Sequence, residues 1–205
     1  MPDRSMQLGP EARRQKVDIA GIRTATAHPL DPDMVESHLL PEKEGDQLFA
    51  HAWHDGLSSL PIGSRRGRLA GTTGHIAESI VETVLVDIGY TPLWHFAAGG
   101  HGVDLVLITP QFDAVLAIEV KGTLRPGRLP SLRRADLDQM TPEWLEKSDN
   151  PGMKEWNLTA EDVFGAVFLV NFADRLIKAG VTSDFRTVLP VDRLDDLADL
   201  SWLDA

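Results

Sequence analysis

Glu119 and Lys121 stand two residues apart in the apolar run AVLAIEVKGT, residues 114–123. In a β-strand, positions i and i+2 face the same side. Ala114, Leu116, Ile118 and Val120 therefore share one face, and Val115, Ala117, Glu119 and Lys121 share the other. Alone, this is an ordinary ion pair at the end of a buried strand. Asp104, fifteen residues before Glu119, opens a second apolar run, GVDLVLIT, behind the small, open stretch Gly100-His101-Gly102. If the two runs pair as antiparallel neighbours, Asp104 and Glu119 approach across the sheet. Two carboxylates that close repel unless one is protonated or a cation lies between them. A hard divalent ion with oxygen ligands, Mg2+ or Mn2+, meets that need, with the main-chain carbonyl of Val120 as a further ligand. Lys121 would polarise an attacking water or stabilise charge on a phosphate. Together these are the parts for in-line phosphodiester hydrolysis.

The elements that must position these groups follow from periodicity. Residues 72–88, TTGHIAESIVETVLVDI, set Ile76, Ile80, Val81, Val84, Leu85 and Ile88 at helical spacing, with Thr72 or Thr73 as cap and Gly89 as stop. Glu78 falls at the margin of the apolar stripe, and Glu82 lies one turn on. The runs TPLWHF, GVDLVLIT and AVLAIEV, separated by the turn signals GGHG and TPQFD, read as a three-strand meander. Residues 135–147, ADLDQMTPEWLEK, read as a helix in spite of Pro142, and DNPGMKEWN as a loop. VFGAVFLVNF (163–172) and FRTVLPV (185–191) read as strands. The sum is an α/β domain with a mixed central sheet flanked by helices. Residues 33–57 carry a helical pattern broken at Pro41. Residues 1–32 are polar, marked by prolines and weakly periodic, so 1–60 reads as an N-terminal extension of unknown role and 61–205 as the domain.

Gly102-Val103-Asp104 followed by Ile118-Glu119-Val120-Lys121 resembles the PD-(D/E)XK nuclease superfamily, the restriction-endonuclease-like fold. The segment GHIAESIVETVLVDIGY is similar to that family's first core helix, with Glu78 at the metal-facing position. Gln139, in LDQMTPEWL, is similar to the polar residue of the helix after the lysine. The resemblance spans about residues 71–172, roughly half the chain, and departs from the motif at Val103, where the family has proline. It implies an αβββαβ core and Mg2+-dependent cleavage of DNA, with RNA the less favoured polymer. It also implies a catalytic set of Asp104, Glu119, Lys121, Glu78 and Gln139. QMTPEWLEKSDNPGM resembles a segment of some bacterial polymorphic toxins, which would imply an effector delivered by a specialised secretion system and held in check by an immunity protein. The rival reading is a catalytically inactive module of the same fold, acting in binding or complex assembly.

The formal net charge of −11 counts against a wholesale nucleic-acid binder. The charge is uneven, however. Residues 121–134 carry Lys121, Arg125, Arg128, Arg133 and Arg134 with no acid, and Arg65, Arg66 and Arg68 form a second basic group. Six aspartates against two arginines fill 184–205. A basic surface beside the Glu-x-Lys strand, with Arg125, Arg128, Arg133 and Arg134 on backbone phosphates, is compatible with the acidic total. The chain has no cysteine, which excludes disulfides and thiolate-bound metal. No run nears the roughly 18 apolar residues of a membrane span, and the N-terminus lacks an apolar signal core, so a cytoplasmic protein is expected. His51 and His54 in HAWH lack two further zinc ligands at suitable spacing. His75, His101 and the tryptophans Trp94, Trp144, Trp156 and Trp202 read as surface or packing residues before they read as substrate contacts.

Overall fold

The computed structural model describes residues 17–60, 66–95, 102–111, 114–132, 138–147, 151–182 and 185–198. Arg65, His101, Arg133, Arg134 and Trp202 lie outside the described residues.

The elements in chain order are α1 (Ala20–Thr24), β1 (His28–Pro29), α2 (Pro32–Ser37), α3 (Glu44–Asp55), α4 (Arg66–Asp87), β2 (Thr91–His95), β3 (Leu105–Ile108), β4 (Val115–Thr123), α5 (Pro142–Lys147), α6 (Pro151–Glu155), β5 (Phe164–Asn171), β6 (Leu176–Thr182) and β7 (Val188–Pro190). The strands form one seven-stranded sheet in the order β1-β6-β5-β4-β3-β2, with β7 also paired to β6. β4 and β5 are parallel, and the other pairs are antiparallel. The chain therefore has an α/β fold with a mixed sheet flanked by helices.

Two buried clusters, one on each face, sandwich the sheet. Leu116, Ile118 and Val120 join Ile76, Ala77 and Ile80 of α4 and Phe49 of α3 in the first. Ala117 and Val167 join Ile22 of α1, Met140, Trp144 of α5 and Met153 of α6 in the second. β4 is thus central and covered on both faces.

α4 begins six residues earlier than the periodicity predicts. Leu69 is buried and extends the apolar stripe. Thr73 caps nothing: inside the helix, its hydroxyl donates to Leu69 O at 2.7 Å. The stop at Gly89 is as expected. Its φ of 102° accompanies Tyr90 N–H to Leu85 O at 3.0 Å and Gly89 N–H to Val86 O at 2.9 Å, the paired bonds of a Schellman end.

Three corrections follow from local chemistry. Within the described part of 135–147, the helix covers only Pro142–Lys147, and Gln139 sits in the turn before it. Pro142 starts this helix rather than interrupting it. Thr141 Oγ1 accepts from Trp144 N–H at 3.2 Å, which makes Thr141 the cap and puts proline at the first helical position. β6 was not foreseen, because Lys178 and Gly180 interrupt its apolar residues. It pairs with β5 from Gly165↔Thr182 to Asn171↔Leu176. A short helix, α6, lies where a loop was expected.

A further correction concerns the N-terminal region. From Val17 onward, residues expected in a separate extension are built into the sheet and core. His28 pairs with Ile177. A Cβ on Gly21 would stand 1.5 Å from Val188 O, so α1 lies directly on β7. Phe49 packs edge-on against Phe172 with centroids 4.8 Å apart. Helices of five and six residues and a two-residue strand are too short to leave a readable period.

Candidate active site

The site begins with the alternation of β4. Even-numbered residues face α4 and odd-numbered ones face α1, α5 and α6, so Glu119 and Lys121 emerge together. Gly122 sets how closely α4 approaches. A Cβ there would lie 2.5 Å from Thr73 O and 3.0 Å from Ala77 Cβ. This contact brings the segment of α4 that carries Glu78 to the end of the strand that carries Glu119 and Lys121.

β3 pairs with β4 antiparallel at Leu105↔Ile118, which carries Asp104 to the level of Glu119. Asp104 N–H donates to Ile118 O at 2.8 Å. Its Oδ2 accepts from Val120 N–H at 2.6 Å. Asp104 therefore extends the ladder with its side chain, which fixes that carboxylate beside β4.

Glu119, Lys121 and Gln139 close a triangle. Lys121 Nζ donates to Glu119 Oε1 and to Gln139 Oε1 at 2.8 Å. Gln139 Nε2 donates to Glu119 Oε1 at 2.6 Å. Glu119 is 2% exposed, whereas the Lys121 side chain keeps 25% of its surface. The ammonium thus faces both the buried carboxylate and the outside. Gln139 reaches the site from a turn held by Gln139 N–H to Leu132 O at 2.7 Å. The next residue, Met140, has φ 59° and is fully buried. A left-handed non-glycine residue costs about 1 kcal/mol or more, and the packed Met140 side chain offsets it.

The electrostatics are lopsided, with Glu78, Asp104 and Glu119 close enough to repel and Lys121 the cation opposing them. Asp104 is pushed up to about 8, first by burial, then by Glu119 and Glu78, against the Val120 N–H and Lys121. Glu78 is raised by burial and then by Glu119, with Lys121 opposing. His75 Nδ1 lies 3.9 Å from Glu78 Oε2.

The folded state holds the Asp104 proton more tightly than the unfolded chain does. Its contribution to stability is full below the ordinary aspartate value of about 4 and is lost as pH rises to about 8. Asp104→Asn keeps an acceptor for Val120 N–H and cannot ionise. In EDTA it should melt higher than the parent at pH about 8 and close to it at pH about 4. Melting curves by circular dichroism check this; a variant that melts lower at the higher pH contradicts it.

The donors suit a hard divalent ion in charge and type: two carboxylates, Asp104 and Glu119, and the intervening Val120 carbonyl. Among the described residues, no three His, Asp or Glu side chains group closely enough to hold a metal by themselves. A magnesium ion commonly keeps several waters and needs only one or two carboxylates, so the set fits, with Glu78 nearby.

Arg125 and Arg128 are exposed in the turn after β4. His51 and His54 each pair with an acid, Asp55 at 3.0 Å and Glu36 at 3.2 Å, and form no joint site. Trp144 packs in the core, while Trp156 is half-exposed. Sequence reasoning missed Gly122, whose signal was a glycine inside a strand pattern. It also missed the buried Asn171 at the end of β5. No helix among the described residues is long and apolar enough to cross a membrane. No family model, curated protein or solved structure matches the chain.

Proposed function

We propose that the protein is a divalent-cation-dependent nuclease that hydrolyses phosphodiester bonds, with DNA the favoured polymer. The observation that carries this reading is the convergence of Asp104, Glu119, Lys121 and Gln139 at one end of β3 and β4. Once Asp104 gives up the proton it otherwise holds to about pH 8, its charge and that of Glu119 exceed what one lysine balances. An Mg2+ or Mn2+ ion held by Asp104, Glu119 and the Val120 carbonyl would stabilise charge on the transferring phosphoryl group and leaving oxygen.

The chain's own residues have separable tasks. Lys121, the partly exposed cation, orients the attacking water and donates to a phosphoryl oxygen. Gln139 holds Lys121 and Glu119 in fixed relation. Glu78, with its carboxyl raised, accepts a proton from the water network at the edge of the site. Asp104 is anchored through Val120 N–H and brings β3 into the same centre.

Purified protein incubated with supercoiled plasmid, linear duplex, single-stranded DNA and total RNA, with Mg2+, Mn2+ or EDTA, tests the proposal and identifies the polymer. Gln139→Leu should lower the cleavage rate about 10- to 100-fold, the range for a residue supporting a metal ligand, mainly in kcat. An unchanged rate would remove Gln139 from the mechanism.

A second reading, a non-catalytic binding module, is favoured by the closed triangle that occupies Lys121 with Glu119 and Gln139. It predicts no cleavage with any metal and nucleic-acid binding that tolerates Glu119→Gln.

A further inference from the structure

β4 and β5 run parallel and end side by side at Thr123↔Asn171. Each strand leads into a turn, and the two turns are fastened together. Asp174 Oδ2 accepts from Gly127 N–H at 2.7 Å and from Asn171 Nδ2 at 2.6 Å. Asp174 N–H donates to Asn171 Oδ1 at 3.1 Å. Asn171 Nδ2 also donates to Arg125 O at 3.3 Å, and Phe172 N–H to Thr123 O at 2.9 Å. Asn171 is only 2% exposed. A buried amide must be satisfied by hydrogen bonds; here one crosses to Arg125 O, and the two to Asp174 hold that residue where it accepts from Gly127 N–H across the turns. Gly127, at φ 64°, supplies the left-handed residue that the first turn needs.

The joined turns are basic in an acidic protein. Arg125 and Arg128 are exposed on the first, and Arg175 is exposed on the second. The Arg175 guanidinium is braced 5.4 Å over the Trp53 ring. Asp174, the acid among them, has its Oδ2 committed to N–H groups. In a chain whose net charge of −11 repels a polyanion, a preorganised cluster of arginines is where a phosphodiester backbone can rest. It lies beyond the same end of β4 that carries Lys121.

We propose that these two turns form a ledge for the substrate's phosphate backbone, with Arg125, Arg128 and Arg175 as contacts and Asn171 and Asp174 as positioning residues. The proposal deepens the nuclease reading and rests on it for the identity of the polyanion. The sign of one substitution separates positioning from simple charge. Asp174→Ala removes a negative charge, which by Coulomb's law alone tightens nucleic-acid binding. If the clasp orders the arginines, its loss weakens binding instead.

The test is fluorescence anisotropy of a labelled DNA duplex with the full chain in EDTA, over a range of salt. We expect Asp174→Ala to bind about fivefold more weakly, by loss of preorganisation. Asp174→Asn, which keeps the acceptor oxygen, should bind at least as tightly as the parent. Arg175→Ala should lower the slope of log affinity against log salt by about one. Equal or tighter binding by Asp174→Ala, an unchanged slope for Arg175→Ala, or no binding by the parent would overturn the ledge. Should Asp174→Ala fail to fold by circular dichroism, the salt slopes of Arg125→Ala and Arg175→Ala decide. Binding with these effects but no cleavage in Mg2+ would defeat the nuclease reading and leave the ledge intact. Cleavage without these effects would do the reverse.

Discussion

Replacing Lys121 by methionine should abolish cleavage and destabilise the metal-free protein. The side chain keeps its length and stem but loses the ammonium. In the site, that ammonium donates to Glu119 and to Gln139. Without it, the catalytic loss should be at least about 10²- to 10³-fold, the scale for removing one preorganised donor to a developing negative charge. The stability loss has a separate cause. Glu119 is 2% exposed, and removing one partner of a buried ion pair costs about 3 kcal/mol, because the other charge stays buried. Mg2+ should restore much of this stability, since it supplies positive charge to the same carboxylates. Rate assays and thermal melts with and without Mg2+ measure the two effects separately. Full activity in Lys121→Met would remove the lysine from the reaction. Unchanged stability in EDTA would mean that the ion pair carries no net weight.

Gly122→Ala should be almost as damaging, although it adds one methyl group and changes no charge. The new Cβ would meet the Thr73 carbonyl oxygen at 2.5 Å. Neither partner yields cheaply: one is the main chain of a 22-residue helix and the other the central strand. Overpacking of this kind costs about 1–3 kcal/mol. Relief requires α4 to move away from β4, which withdraws Glu78 from Asp104 and Glu119. The variant should therefore melt lower and also cut more slowly in proportion to protein that remains folded. A folded variant with the parent's activity would show that the spacing of α4 is not what places Glu78.

Much of this arrangement was legible because it depends on short-range alternation. The two-residue spacing of Glu119 and Lys121 in an apolar run fixes their shared face, whatever the rest of the chain does. Asp104 followed from the likelihood of adjacent strands pairing, and the register at Leu105↔Ile118 has the needed phase. Glu78 was readable as a polar residue at the margin of a long apolar stripe. The illegible parts depend on tertiary partners. β6 is broken in sequence by Lys178 and Gly180, yet bonding to β5 on one side and to β1 and β7 on the other makes it a strand. The apolar spacing around Gln139 reads as helix, whereas Thr141 and Pro142 start the helix only after it. Residues 17–32 have apolar positions but no period, because α1 and β1 are short and anchored by the sheet; the helical pattern within 33–57 was readable, but not that it packs on α4. Gly122 stood in plain view. That an α4 carbonyl needs its vacant position is visible only once helix and strand are packed.

The central claim is that Asp104, Glu119 and Lys121 form a metal-dependent phosphodiesterase centre. Its most direct test is nicking and linearisation of supercoiled plasmid by the parent protein and by Glu119→Gln, each in Mg2+ and in EDTA. The account predicts cleavage by the parent in Mg2+ alone and none by the variant, provided both proteins give the same folded signature by circular dichroism. Cleavage that persists in EDTA, or that Glu119→Gln retains, would contradict it.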